Sequence, residues 1–169
     1  LFLNGTIEGA DAIVNITIEN CYGAKVGGLA GDSRDRLNDS TAEAVISITE
    51  AAEVTVKTNQ IKAGGAAGAI TEALNGITAI ADITITGKGQ VYAGGIAGVA
   101  SDITDCDSEF SVDIITSDSS WIGGLAGTSN VIDDSISLIT GLNIVTTETT
   151  NIGGLVGSAI GATEGIGSV

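Results

Sequence analysis

A chain of 169 residues that is 43% hydrophobic but only 3% aromatic, with 25 glycines and no proline, must build its core from Val, Ile, Leu and Ala; that suits one domain built as a repeated lattice better than a globule around large rings. Six basic against 21 acidic residues give a net charge of −15, which repels phosphate backbones and anionic lipid and removes nucleic acid as a partner. With no histidine there is no Cys/His metal pattern, and two cysteines are too few for a disulfide framework, so Cys21 and Cys106 are read as small buried thiols.

The chain begins without Met or a basic, apolar leader, as a mature or excised segment would. Its first alternating segment, "IVNITIEN" at residues 13–20, places Ile and Val at every second position and reads as a half-buried strand. Ten residues later comes "KVGGLAG". The same succession returns four times, as "AEVTVKT" before "KAGGAAG", "DITITG" before "YAGGIAG", "FSVDIIT" before "WIGGLAG" and "LNIVTT" before "NIGGLVG". The glycine pairs fall at 27/28, 64/65, 94/95, 123/124 and 153/154, with spacings of 37, 30, 29 and 30. The most apolar stretch, residues 63–85, is interrupted by Glu72, Asn75 and Asp82 and makes a poor membrane span.

Aligned on the glycines, with a one-residue slip in the 37-residue unit, Ile16/Ile18, Val54/Val56, Ile83/Ile85, Val112/Ile114 and Leu142/Ile144 form one inward set. The residues flanking each pair are aliphatic every time (Val26 and Leu29, Ala63 and Ala66, Ala93 and Ile96, Ile122 and Leu125, Ile152 and Leu155). They can share the interior only if the glycines bend the chain, through backbone conformations that a Cβ would forbid. A third apolar segment separates the units ("AVISIT", "NGITAIA", "SDITDC", "VIDDSISLI"). The prediction is an all-β fold: a parallel β-helix, or β-solenoid, of about five coils of ~30 residues with three strands per coil. One domain over residues 1–169 divides into units at about 1–31, 32–68, 69–98, 99–127 and 128–157, with a partial unit at 158–169. The long unit carries its insertion as "GDSRDRLNDST".

"IENCYGAKVGGLAG" and "ITDCDSEFSVDIITSDSSWIGGLAG" resemble the GLUG-motif repeats of bacterial cell-surface proteins, adhesins and the repeat region of the IgA-cleaving metallopeptidases among them. They share an Ile-x-x-Cys segment, a Val-rich strand and a Gly-Gly-Leu-x-Gly corner. The resemblance spans residues 13–157 and implies an extracellular repeat rod. Cys recurs only at positions 21 and 106, and "GGAAG" lacks the Leu, so some units are degenerate. No catalytic residue carries over, because His-Glu-x-x-His is absent.

Four kinds of site follow. The column two residues before each glycine pair reads Lys25, Lys62, Tyr92, Trp121 and Asn151, so stacking in register makes Tyr92 and Trp121 exposed neighbours with Lys62 beside them: a stripe for a glycan or host surface, or a stack that shields the sheet. Asp32, Asp35 and Asp39 in the insertion supply oxygen ligands of the kind Ca²⁺ takes, set against a solvated loop in which they pair with Arg34 and Arg36; no other cofactor is indicated. Asn4-Gly-Thr and Asn38-Asp-Ser are the glycosylation candidates. Open solenoid ends expose strand edges, which predicts end-to-end self-association. The leading expectation is a non-enzymatic structural or adhesive module, a stalk or filament subunit at the cell surface. Behind it stand a carbohydrate-binding module, an ice-binding surface limited by the single Thr84/Thr86 pair, and a polysaccharide-degrading β-helix using Asp102, Asp105, Asp107, Glu109, Asp133 and Asp134.

Overall fold

Strict alternation of aliphatic and polar residues drives each coil to lay one long extended strand, because only a strand sends successive side chains to opposite faces. In the computed structural model, which describes residues 2–3, 5–53 and 59–160, every regular element is a strand and every pairing is parallel. The chain winds as a β-solenoid of about five coils. Each coil crosses four sheets rather than the predicted three, because the segment after the glycines breaks into two short strands instead of one.

The long sheet holds Asp11–Cys21, Thr41–Glu50, Thr78–Thr86, Asp107–Thr116 and Ile136–Thr146. The ridge sheet follows it, with Ala24–Gly27, Gln60–Gly64, Gln90–Gly94, Ser120–Gly123 and Thr150–Gly153. Past the glycines, the alanine sheet stacks Phe2–Leu3, Ala30–Ser33, Ala67–Ile70, Ala97–Val99, Ala126–Ser129 and Val156–Ala159. The short sheet of Ile7–Glu8, Leu37–Asn38, Ala73–Asn75, Asp102–Thr104 and Val131–Asp133 closes the circuit.

Like stacks on like. Ile16, Ile46, Ile83, Val112 and Leu142 are successive partners in one column, and Ile18, Ile48, Ile85, Ile114 and Ile144 in the next. In the three inner coils these residues are buried, each contributing about 1.5–3 kcal/mol of hydrophobic stabilisation. The inward slot expected for Val54 and Val56 therefore belongs to Ile46 and Ile48, and residues 54–58 lie outside the described residues. The extra length of the 37-residue unit correspondingly falls at residues 51–59, between the long strand and the ridge strand. It does not lie in "GDSRDRLNDST", which is regular coil containing parts of three strands.

The glycine pairs turn the corner, but not by left-handed backbone. None of the ten has a positive φ of the kind found at Gly5, Gly9, Gly23 and Gly76. Contact is what requires them. A Cβ on Gly64 would lie 2.3 Å from the Ala97 Cα of the next coil, and one on Gly65 would lie 2.3 Å from the Gly95 carbonyl and 3.0–3.1 Å from the Ala79 and Ala81 Cβ atoms. The second glycine is thus pressed against a column of small residues (Ala12, Ala42, Ala79, Ser108, Ser137), and the interior divides there into two aliphatic lobes. Residues before the pair, such as Ala63 and Ile122, enter one lobe; residues after it, such as Ala66 and Leu125, enter the other.

Two polar devices hold the corners. Before each long strand the chain passes through left-handed backbone at Gly9, Asp39, Gly76, Asp105 and Asp134, with φ of 42–63°. Asp is one of the few residues with a Cβ that tolerates this region. The following side chain clips the turn to the neighbouring coil. The Ser40 hydroxyl donates to the Asn38 carbonyl (2.7 Å) and accepts from the Ala10 amide (3.1 Å). Ser135 does the same between the Asp133 carbonyl (2.7 Å) and the Cys106 amide (3.0 Å). Cys106 fills the equivalent slot with sulfur, donating to the Thr104 carbonyl at 3.1 Å and accepting from the Ile77 amide at 3.4 Å. It is fully buried, as the sequence led us to expect, whereas Cys21 is half-buried; both thiols are free.

At the far end of the long strand, Thr116 and Thr146 clip the next corner through bonds of 2.8 Å to the Gly89 and Asp118 carbonyls. The same column has Gly87 in the third coil, and there the buried Glu50 carboxylate of the second coil reaches across instead. Its Oε2 accepts from the Lys88 and Gly89 amides at 2.6 and 2.8 Å. A Cβ on Gly87 would sit 2.5 Å from that oxygen.

Candidate functional site

The stripe predicted from the glycine register is present on the outer face of the ridge sheet. Lys25, Lys62, Tyr92, Trp121 and Asn151 are consecutive Cα partners. The Tyr92 and Trp121 rings stack with centroids 4.6 Å apart and planes inclined by 7°. Lys62 Nζ lies 5.7 Å from the Tyr92 centroid, completing a cation–ring–ring series that follows the solenoid axis. Because the ring spacing matches the ~4.8 Å between strands, the ring planes lie across the axis and their edges face outward.

Polar contacts fix the stripe on both sides. Lys25 Nζ pairs with Asp32 Oδ2 at 2.6 Å, joining the ridge sheet to the alanine sheet within one coil. The Gln60 amide donates to Gln90 Oε1 at 3.2 Å, and the Tyr92 hydroxyl donates to the same oxygen at 3.4 Å. Burial lowers the pKa of Lys62, and the neighbouring Lys25 lowers it further against a smaller opposing effect of Asp32. Burial raises the Tyr92 phenol, with a contribution from the Asp118 charge.

The three aspartates proposed for Ca²⁺ are held apart. Asp32 is an alanine-sheet residue engaged by Lys25; Asp35 Oδ2 accepts the Gly5 amide at 2.6 Å; Asp39 occupies the left-handed turn beside Gly76. The segment runs from the alanine sheet through the short sheet to the start of the long sheet, and among the described residues no three acidic or thiol side chains converge as a metal centre would require. Asn38 stands half-buried on the short sheet, paired in register with Glu8 and Asn75, and Asn4 lies outside the described residues.

The acidic residues considered for hydrolysis divide between the short sheet, the turns that follow it and the long sheet. Asp102 and Asp133 are partnered through Thr104 and Val131 on the short sheet, Asp105 and Asp134 form the turns, and Asp107 and Glu109 face outward from the long sheet. The ice-binding columns change composition, since Ser47 and Thr49 now stand beside Thr84 and Thr86; Glu19, Asp113 and Ile115 still interrupt them. Sequence reasoning missed the Glu50–Gly87 exchange, although a glycine where the next two coils have threonine was a readable sign of it.

No protein-family model, curated protein or solved structure matches the chain. Among the described residues no helix is long and apolar enough to cross a membrane.

Proposed function

We propose that this chain is a non-enzymatic structural or adhesive module, a rod segment of a secreted or cell-surface protein that acts as a stalk or assembles end to end. The observation that carries this reading is the state of the inward columns in the outermost coil. Leu142 and Ile152 continue columns whose inner members, Ile83, Val112, Ala93 and Ile122, are at most 3% exposed, yet they are themselves 46% and 51% exposed. Such a face accepts one more coil of the same kind, supplied by a longer chain or by a second copy. Resemblance to the GLUG repeats of bacterial surface proteins supports the extracellular placement. Sedimentation velocity over a hundredfold concentration range tests the assembly: linear oligomers that Ile152→Asp disperses are the expected result, and monomers throughout leave the stalk role alone.

A second reading, a glycan- or host-surface-binding module, rests on the half-buried Tyr92/Trp121 pair with Lys62 beside it. Sugar rings stack on aromatic faces, and Tyr92 already has one face against Trp121 and Lys62 over its ring, so a ligand would meet edges and the cation. A glycan array comparing the native protein with Trp121→Ala decides between the readings, equal signals removing the second.

A further inference from the structure

The outer face of the long sheet is chemically unlike the rest of the molecule. Along one row of coil partners it reads Ile13, Glu43, Ile80, Glu109, Leu138, an aliphatic side chain alternating with a carboxylate. Ile13 is 83% exposed, Ile80 50% and Leu138 58%, and Ile136 beside them is 69% exposed. The whole face carries the carboxylates of Asp11, Glu19, Glu43, Asp82, Asp107, Glu109 and Asp113 and not one Lys or Arg. None of these seven takes part in an ion pair.

Two open grooves lie side by side on this face and share Ile80 as their common wall. The first, of about 440 Å³, runs between Ile13 and Ile80 with Asp11 and Glu43 at its polar side. The second, of about 370 Å³, runs between Ile80 and Leu138 with Asp107 and Glu109 in the corresponding places. Each has the shape and chemistry for a Lys or Arg side chain, whose methylene stem packs on aliphatic walls while its charged head meets carboxylates. The grooves are two coils apart, so two such side chains would be about 10 Å apart.

We propose that the long-sheet face docks a cationic amphipathic polypeptide segment, laid along the solenoid axis with basic side chains in the two grooves. Charge complementarity selects this occupant. A second copy placed face to face would oppose seven carboxylates with seven more, and an anionic lipid surface is repelled likewise.

Binding of a fluorescent 12-residue peptide of Lys-Val-Val repeats, whose lysines recur on one face about every 9 Å in an extended three-fold chain, tests the proposal by anisotropy at 150 mM salt, with a Lys-Ser-Ser (Lys/Ser) peptide for comparison to this Lys/Val one. The native protein is expected to bind the Lys/Val peptide at least tenfold more tightly than the Lys/Ser peptide. Glu43→Gln with Glu109→Gln should weaken that binding at least fivefold, and Ile80→Ser should do the same without changing charge. Asp102→Asn with Asp133→Asn, which removes the same charge from the short sheet, should leave it within twofold. All three substituted side chains on the long-sheet face, Glu43, Ile80 and Glu109, are exposed, and unchanged circular dichroism confirms that the variants fold. Equal loss in both charge variants, equal affinity for both peptides, or a concentration-dependent dimer that Ile80→Ser abolishes would each overturn the proposal, the last by assigning the face to a second copy.

Discussion

Within each Gly-Gly pair the need for glycine depends on what the neighbouring coil presses against it. Gly65 faces the Gly95 carbonyl and two alanine Cβ atoms, whereas Gly154, in the outermost coil, has nothing within 4 Å of an added Cβ. Gly65→Ala should therefore destabilise the protein by about 1–3 kcal/mol, the cost of overpacking, while Gly154→Ala should be neutral or slightly stabilising; urea unfolding of the two variants measures the contrast. Cys106 offers a second residue-scale prediction. Burial pushes its thiol from 9.0 up to about 11. The folded value lies above the unfolded one, so the native state keeps a proton that the unfolded chain has released. This stabilisation is complete below pH 9 and is lost as pH rises through 9 to 11, a change of about 2–3 kcal/mol at 1.36 kcal/mol per unit. Cys106→Ser, which restores the hydroxyl found at Ser40 and Ser135, should fold normally and show a smaller alkaline loss than the native protein over that interval.

At the level of strands, the ridge column from Lys25 to Asn151 was legible because the glycine pairs fix its register without ambiguity. The long-sheet column was harder to read. The 37-residue unit holds two alternating segments, with Ile48 placed 30 residues after Ile18 and Val56 placed 29 before Ile85, so the period alone cannot choose between them. The turn decides: Asn38-Asp39-Ser40 precedes Thr41–Glu50 just as Thr104-Asp105-Cys106 precedes Asp107–Thr116. Left-handed Asp followed by a clipping Ser or Cys is a local signal that hydrophobic periodicity does not contain. Carboxylate spacing has the same blind spot, since it says nothing about how the strands distribute Asp32, Asp35 and Asp39 along the coil. Within the ridge, Lys25→Gln should raise the pKa of Lys62, because it removes the like charge and also leaves the Asp32 carboxylate free to favour the ammonium. NMR titration of the Lys62 ε-methylene checks the direction.

Across the whole molecule, each coil contacts mainly its neighbours, so stability accumulates as a sum of stacked interfaces. Excising residues 103–131 joins Asp102 to Ile132, whose register partners in the intact chain are Val131 and Ile103. The four-coil protein should retain its β spectrum and unfold with a denaturant slope reduced by about a fifth, in proportion to the surface exposed. Removing one residue fewer should give a less stable protein, because the extra residue must be absorbed by a bulge like the one that already skips Thr140 opposite Phe110 and Ser111. Charge is segregated at this scale too: Lys25 and Lys62 lie on the ridge, while every charged side chain on the long-sheet face is a carboxylate.

The carboxylate of Glu50 lying over the bare α-carbon of Gly87 limits how such a chain can evolve. Copying the third coil next to itself would set glycine beside glycine and leave an unfilled hole, with the copy's pair of amides unanswered. Copying the second would bring two buried acids within about 5 Å of each other, at an energetic cost no neighbouring group relieves. The second and third coils are in this sense a single heritable unit, and lineages that lengthen or shorten the rod one turn at a time must do so on the other side of that joint, where Thr116 stacks on Thr146 and successive turns are interchangeable.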